Sequence, residues 1–376
     1  MFLYIFVAVS WLTAFLLSMK RLRKTAKIYF VILLLIIINL IIFFFVAVEL
    51  EGWAEGLSML FTVKNLDPLK DINVWMQAAG QIFFSLSIGW GGLIVFASGS
   101  KWNNNFCSDA LFVSISNSVT SVWASIIMFS FFGFRMKYQV KSCERLMDSN
   151  STKDIGEFMM KVNIEGSPTP LGLMSGSRNC SKEFFFEQIP GGMSMAFIGM
   201  TQAFGEMEFP SAYACLFFIL LFLLGITTLP VMIQMLVNSF FEWKLVPQRV
   251  GREIVAGIIC LVLCIINLVN VQPTGLYILE LIDNSSGFPL LVLGFFECIG
   301  VCYIYGIDKF SKDMFVMTGQ KLNWKWKFCW MFVSPLIILG IIIGSIVKMV
   351  QQGEVTYQAW SRDKVSYIGP RNKSQK

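Results

Sequence analysis

Eight apolar runs, each long enough to cross a bilayer, constrain this chain more than any other feature of its sequence. A hydrocarbon core of about 30 Å is spanned by about 20 apolar residues in a helix. Only 14% of the 376 residues are charged and 56% are hydrophobic, whereas soluble domains carry about 25% charged residues. We therefore predict an all-α, multi-pass membrane protein with one transmembrane domain over 1–350 and a polar tail over 351–376. The predicted spans are 2–19, 28–48, 76–98, 109–134, 211–237, 253–270, 276–305 and 328–349.

The charges of the connecting loops predict the orientation of these spans. Loops 20–27, 238–252 and 306–327 carry an excess of Lys and Arg and fall on one side, which the positive-inside rule assigns to the cytosol. The long loop over 135–208 then lies outside the cell, as do both chain termini. This loop contains glycosylation sequons and two cysteines that are candidates for a disulfide bond in an oxidising compartment. These residues are Asn150, Asn179, Cys143 and Cys180.

Composition also argues against several classes of function. The chain contains no histidine, the commonest general base and metal ligand. It shows no nucleophile–base pair and no phosphate-binding loop, so we expect no enzyme and no cofactor. The net charge of +6 comes from basic residues beside the apolar runs, and we therefore expect a lipid bilayer and no nucleic acid as partner.

The third span is interrupted at mid-length by hydroxyl groups and glycines. Residues 85–92 read Ser-Leu-Ser-Ile-Gly-Trp-Gly-Gly, and each glycine weakens a helix by about 1 kcal/mol relative to alanine. In lipid, irregular backbone is tolerated only where it is buried in protein or lines a wet cavity. A break at this depth exposes carbonyls and helix ends, which can hold an ion or a zwitterion. A helix-packing face built from small residues is the alternative.

Two neighbouring spans each offer an amide and a hydroxyl at helical spacing. Gln81 and Ser85 are four residues apart, and so are Asn117 and Ser121, which places each pair on one helix face. Oxygen ligands suit sodium, whereas amide and hydroxyl hydrogens suit an anion such as chloride. Interhelical hydrogen bonds, worth about 0.6 kcal/mol each, are the alternative reading.

Four further polar residues lie in later spans. Thr227 and Thr228 precede Pro230, whose missing N–H frees a carbonyl one turn back, although threonines also bond to their own helix. Glu297 lies in an apolar run, where a carboxylate is expensive, and we interpret it as a structural buried acid. Asp283, near the outer end of the same span, is a candidate gate residue or an inert acid at the span end.

These stretches together resemble the neurotransmitter:sodium symporter family. The segment Gln81-Ile-Phe-Phe-Ser-Leu-Ser-Ile-Gly-Trp-Gly resembles the broken sixth helix of that family, and Val113-Ser-Ile-Ser-Asn-Ser-Val-Thr-Ser121 resembles its seventh. Leu223-Leu-Gly-Ile-Thr-Thr and Tyr303-Ile-Tyr-Gly-Ile-Asp-Lys-Phe resemble its eighth and tenth. Gly133-Phe-Arg135 is most similar to the epithelial and brain neutral amino acid transporter branch.

The resemblance implies a leucine-transporter-like helical bundle. The eight runs correspond to the fourth to eleventh helices of the family, so the bundle is expected to be incomplete. It implies sodium-dependent, chloride-linked symport of small neutral amino acids by alternating access at the plasma membrane, with an accessory membrane protein as a further candidate partner. Because half of each ion site would be missing, we expect no transport by this chain alone. A non-transporting membrane partner or regulatory isoform is the alternative.

The resemblance also assigns roles to individual residues. It implies sodium ligands at Ser85, Asn117, Leu224, Thr227 and Thr228, and chloride ligands at Gln81, Ser85, Asn117 and Ser121. It implies a substrate pocket formed by Phe84, Ser87, Trp90, Thr228 and Met232, with a gate at Asp283.

Overall fold

The computed structural model of the chain describes residues 2–19, 22–62, 66–149, 182, 185, 195–247, 249–272 and 274–352. All regular secondary structure in these residues is helical, which confirms the predicted fold class. The sequons at Asn150 and Asn179, the cysteine Cys180 and the tail from residue 353 onward lie outside the described residues.

The α-helices are numbered here in chain order. They are α1 Phe2–Ser18, α2 Leu22–Glu49, α3 Trp53–Phe61, α4 Ile72–Ser85, α5 Gly92–Ser98, α6 Phe106–Ser149, α7 Met200–Gly205, α8 Pro210–Glu242, α9 Arg252–Asn267, α10 Gly275–Ile299, α11 Ile307–Thr318, α12 Trp324–Phe328 and α13 Ser334–Gln352. Short 3₁₀ helices cover Asp67–Lys70 and Leu268–Val271, and π-helical turns cover Met195–Gly199, Gly300–Gly306 and Cys329–Val333.

Among the described residues, six helical segments are long and apolar enough to cross a membrane, as expected for a multi-pass membrane protein. They are Ala26–Glu49, Phe106–Arg145, Pro210–Glu242, Arg252–Val271, Tyr277–Thr318 and Trp324–Gln351. The first predicted span is the shorter apolar helix α1, and the third is divided into α4 and α5. Helix α6 continues beyond the apolar run that ends at residue 134, because good helix formers such as Lys137, Gln139 and Lys141 follow that run.

The described helices group into two units, of which unit 1 comprises Met1–Ile37, Asn65–Thr120 and Leu220–Gln352. One of its cores packs α1 against α9 and the second half of α8, with Ala14, Ile233 and Ala256 almost fully buried. A second core is centred on Leu291 of α10, which α4 and α13 flank.

Helices α4 and α10 approach closely because glycines face each other where they cross. A Cβ atom placed on Gly80 would lie only 3.1 Å from the Cα atom of Gly287. Farther along the same contact, a Cβ atom on Gly294 would collide with the ring of Phe83. Small residues that allow backbones to approach are typical of helix contacts in membranes. Such a contact is present at Gly80 of α4, before the interrupted residues 85–92 for which packing was the alternative interpretation.

Two π-helical turns of unit 1 also lie side by side. The thiol of Cys302 donates to the carbonyl of Trp330 at 3.4 Å, and the hydroxyl of Tyr303 donates to the carbonyl of Met331 at 2.5 Å. Side chains of the turn Gly300–Gly306 therefore bind carbonyls of the turn Cys329–Val333.

Unit 2 contains Ile38–Lys64 and Ser121–Ile219. Its interior holds an aromatic cluster in which Phe43 contacts Phe131, Phe204 and Phe217 at centroid distances of 5.9, 6.0 and 6.2 Å. Cys143, at the edge of a smaller apolar cluster, is disulfide-bonded. Because Cys180 lies outside the described residues, the proposed Cys143–Cys180 pairing stays a prediction.

Candidate functional site

Helix α4 ends at mid-span in a Schellman motif. The N–H of Ile88 donates to the carbonyl of Phe83 at 2.9 Å, and the N–H of Ser87 donates to the carbonyl of Phe84 at 3.1 Å. In this motif the residue after the cap takes a left-handed conformation and is usually glycine. Here it is Ser87, with φ of 54°, a conformation that costs an L-residue about 1–2 kcal/mol. The chain therefore keeps a strained serine at the centre of the break.

The turn between α4 and α5 is irregular over six residues. Gly89 and Gly91 have φ of 77° and 78°, which glycine adopts without strain. Gly91 is also confined, since a Cβ atom there would lie 3.3 Å from the Sδ atom of Met235 on α8. The backbone hydrogen bonds that end α4 and begin α5 are accepted by the carbonyls of Ile82, Phe83, Phe84 and Gly91, and not by those of residues 85–90. The break thus presents a run of carbonyl oxygens that can accept from, or coordinate, a guest.

The side chains of Ser85 and Asn117 meet at this break. The Nδ2 atom of Asn117, on α6, donates to the Oγ atom of Ser85 at 3.1 Å. The Ser85 hydroxyl in turn donates to the carbonyl of Ile82 at 3.2 Å. A hydroxyl oxygen has two lone pairs, so Ser85 retains one with which it can coordinate a cation. The structure brings together two residues that the family resemblance had assigned to the same ion sites.

Aromatic rings flank the strained serine. Phe84 and Trp90 lie edge to face with ring centroids 6.0 Å apart, on either side of Ser87 along the chain. The indole Nε1 of Trp90 is buried and has no hydrogen-bond partner among the described residues. Met232 lies about one turn before Met235 on α8, the methionine that contacts Gly91. Phe84 and Trp90 thus form an aromatic surface at the break, and the place of Met232 in the pocket stays a prediction.

The two threonines of α8 bond within their own helix, unlike the Asn117 side chain, which reaches another helix. The hydroxyls of Thr227 and Thr228 both donate to the carbonyl of Leu224, at 2.8 and 3.0 Å. The carbonyl predicted as a sodium ligand therefore already accepts two hydrogen bonds. This is the alternative reading, in which threonines bond to their own helix. Each hydroxyl oxygen keeps two lone pairs.

Three other predicted residues lie on α4, α6 and α10. Gln81 lies on α4 one turn before Ser85 and is exposed. Ser121 follows Asn117 by one turn on α6 but belongs to unit 2. Asp283 is exposed on α10, where its backbone carbonyl accepts from the hydroxyl of Ser286 at 2.7 Å. Their roles as chloride ligands and as a gate stay predictions.

Sequence reasoning missed the residue that anchors the start of α4. Asp71 caps this helix by accepting from the N–H of Asn73 at 2.9 Å, and it forms an ion pair with Lys348 of α13. The hydrogen bond from Lys348, with that from Asn73, lowers the pKa of Asp71 below its usual value. An aspartate immediately before an apolar helix is a recognisable N-cap signal, but nothing local points to Lys348.

Comparisons with known proteins come from a family model and from curated relatives. The model of the sodium:neurotransmitter symporter family matches residues 1–368. Sodium- and chloride-dependent transporter XTRP3A of Mus musculus is 32% identical, over 94% of this chain and 62% of its own length. Sodium-dependent neutral amino acid transporter B(0)AT3 of Rattus norvegicus is 31% identical, over 96% and 60%. The human protein named inactive sodium-dependent neutral amino acid transporter B(0)AT3 is 31% identical, over 96% and 58%. The chain spans about three fifths of the length of these relatives.

Proposed function

Because the chain belongs to the sodium:neurotransmitter symporter family, we propose that it contributes the broken-helix half of a sodium-coupled transport site for small neutral amino acids. The observation that carries this proposal is the interruption of the third span between Ser85 and Gly92, with the Asn117 side chain hydrogen-bonded to Ser85 at the point of the break. Irregular backbone at membrane depth lines a cavity or is buried in protein. The names of relatives at 31–32% identity support sodium, chloride and neutral amino acids as the solutes.

The proposed roles follow from the chemistry of each group. Ser85 and Asn117 supply neutral oxygens for sodium, and the carbonyls of residues 85–90 add further oxygens at the same depth. Gln81 and Ser121 are proposed, with these two, as chloride ligands because amide and hydroxyl hydrogens bind anions. Thr227 and Thr228 are proposed for a second sodium ion, which their hydroxyl oxygens can coordinate while their hydrogens stay on Leu224.

The substrate pocket is proposed around the strained serine. No acidic or basic side chain lies between Phe84 and Trp90, which favours a neutral solute. Phe84, Trp90 and Met232 suit a small apolar side chain, and the hydroxyls of Ser87 and Thr228 suit the polar end of an amino acid. Asp283 is proposed as the gate, and the plasma membrane as the location. An accessory membrane protein is a further candidate partner, testable by co-purification.

Uptake in reconstituted vesicles tests the proposal, and with it the expectation that this chain does not transport alone. The whole chain is inserted into proteoliposomes, and uptake of radiolabelled leucine, alanine and glycine is measured with sodium outside and with potassium in its place. Sodium-dependent uptake of at least one of the three, abolished in Ser85→Ala, supports a transport site at the break. Uptake that is equal in potassium contradicts sodium coupling.

A second candidate is a membrane protein that binds solute or ion without transporting it. The occupied Leu224 carbonyl favours it, because a sodium ligand that already accepts two hydroxyl donors is less available to an ion. One human relative is named an inactive transporter, which also favours this second candidate. A sodium-dependent rise in thermal stability without any uptake in the vesicles is the expected result for this candidate.

A further inference from the structure

A cleft of about 530 Å³ opens in unit 1 beside the break, and the transport proposal makes no use of it. Its walls come from α4 and the turn that follows, from α10 with its π-helical turn, from α11, and from α13 with the turn before it. Phe83 and Ile88 are among these walls, and they are the two residues joined by the cap hydrogen bond that ends α4. An occupant of the cleft would therefore contact the cap directly.

The cleft is apolar apart from one carboxylate. Phe83, Phe310 and Trp330 supply aromatic surface, and the rings of Phe310 and Trp330 lie edge to face with centroids 6.1 Å apart. Glu297 is the single charged residue of the lining. Within the part of the chain that the structure describes, Glu297 makes no ion pair and no side-chain hydrogen bond. An unpaired carboxylate on a membrane helix is costly and marks a functional site more often than not.

The balance of these groups selects a class of ligand. A sodium or calcium ion needs about six oxygen ligands, and this cleft offers one carboxylate among apolar walls. A protonated amine needs one carboxylate for its charge, while aromatic walls bind both an apolar body and an adjacent cation. The volume falls in the range of about 300–1,000 Å³ that small organic ligands occupy.

We propose that this cleft is a binding site for amphipathic organic amines, with the ammonium group on Glu297 and the apolar body between Phe83, Phe310 and Trp330. The site is separate from the proposed ion and substrate positions, and the proposal does not depend on transport. It differs from the interpretation of Glu297 as a structural buried acid, since this side chain is exposed on the cleft wall and no described residue pairs with it.

Two native cysteines report on occupancy of the cleft. Cys298 and Cys302 both line it, whereas the free thiol of Cys264 lies on α9 and is not part of the lining. Membranes that contain the whole chain are treated with N-ethylmaleimide, and the labels are located by peptide fragmentation. The probe is 4-phenylbutylamine, and 4-phenylbutanol serves as its neutral counterpart of the same shape.

The amine is expected to slow labelling of Cys298 and to leave Cys264 unchanged. At about four times its dissociation constant the slowing is about fivefold, because protection follows 1 + [L]/Kd. The alcohol is expected to protect much less at the same concentration. In Glu297→Gln the amine should bind about tenfold more weakly, as expected when a charge-assisted contact is lost. Glu280→Gln, on the same helix but about 25 Å away along its axis, should behave as the wild type.

Three results would overturn the proposal: no protection by the amine, equal protection by the alcohol, or unchanged protection in Glu297→Gln. Faster labelling of Cys264 in Glu297→Gln would mean that this variant has lost its fold. In that case Val301→Phe decides, because it fills the cleft and keeps the charge. Loss of amine protection with a normal Cys264 rate then supports the site, and retained protection refutes it.

Discussion

The third and fifth apolar spans both carry hydroxyls and a helix-weakening residue at mid-length, yet only the third loses its helix. Between Ser85 and Gly92 the backbone leaves the helix, whereas α8 runs unbroken from Pro210 to Glu242 through Pro230. Proline removes one hydrogen bond but keeps a helical φ. A left-handed residue reverses the chain direction and ends the helix.

The polar groups of the two regions differ in their partners. At the break, the Ser85 hydroxyl donates to the carbonyl of Ile82 on its own helix and also accepts from the side chain of Asn117 on another helix. On α8, both threonine hydroxyls return to the carbonyl of Leu224 on their own helix. An interrupted helix offers its polar groups to partners and guests, while a helix that stays intact satisfies them internally. Four predictions test how far this contrast extends, from the largest expected effect to the smallest.

Replacing Asn117 by leucine should have the largest effect, because it removes a group that reaches across the break. We expect the half-saturating sodium concentration for uptake to rise about tenfold, the factor that corresponds to one lost contact to a charged group. Ser118→Ala is the matched control, since this hydroxyl donates to the carbonyl of Ser114 on its own helix. An equal effect of the two changes would show that a polar group bonded to another helix matters no more here than one bonded within its own helix.

Alanine in place of one glycine in each region should separate backbone strain at a positive φ from helix propensity. Gly91→Ala places a Cβ atom at a positive φ and close to Met235, so we expect a loss of about 1–2 kcal/mol. Gly225→Ala, on α8, meets nothing within 4 Å and should be neutral or stabilising by up to about 1 kcal/mol. Melting temperatures of the purified variants in one detergent decide the matter. A stabilising Gly91→Ala would show that the turn is not rigid.

Glycine in place of Ser87 should stabilise the protein and impair it at the same time. It relieves a left-handed serine, a gain of about 1 kcal/mol, but it deletes a hydroxyl from the proposed pocket. Lys244→Gly is the control, because Lys244 occupies the same position in the Schellman motif that ends α8, with φ of 55°. Both variants should melt higher, and only Ser87→Gly should lose uptake. Equal uptake in the two would remove Ser87 from the pocket.

The ion pair at the start of α4 should give the smallest effect, one that is present at neutral pH and is lost at acid pH. The pKa of Asp71 is lowered in the folded protein, chiefly by the hydrogen bond from Lys348. Its contribution is therefore complete above the ordinary aspartate pKa of about 3.9 and is lost as pH falls below that value. We expect the melting-temperature difference between wild type and Lys348→Met to be constant from pH 8 to 5 and to shrink towards pH 3. Lys70→Met, in an exposed pair with Asp67, serves as control. A difference that grows on acidification would contradict this assignment.

The lengths of the apolar runs and the positions of glycine and proline made the helical spans and the interruption of the third span predictable from the sequence. The run of hydroxyls and glycines after Gln81 correctly placed the interruption, because weak helix propensity and mid-span polarity coincide there. The exact cap could not be predicted, since a serine rather than a glycine occupies the left-handed position at residue 87. The hydrogen-bond partner of Thr227 could not be predicted either, because the sequence is compatible with a hydroxyl that bonds to its own helix and with one that is turned away from it. The Asp71–Lys348 pair joins residues 277 positions apart, and only the tertiary fold brings them together.

The paired π-helical turns set the rotational phase of the helix that follows them. Each residue of an α-helix advances the chain by about 100°, and a π-helical turn accommodates one residue more than an α-turn. Deleting one residue from Gly300–Gly306 would therefore rotate α11 by about that angle and carry Asp308 away from Lys327, now 2.7 Å distant. Substitutions in this turn change individual contacts, but a change in its length would re-aim every side chain of α11 at once. We therefore expect this turn to tolerate substitutions better than insertions or deletions.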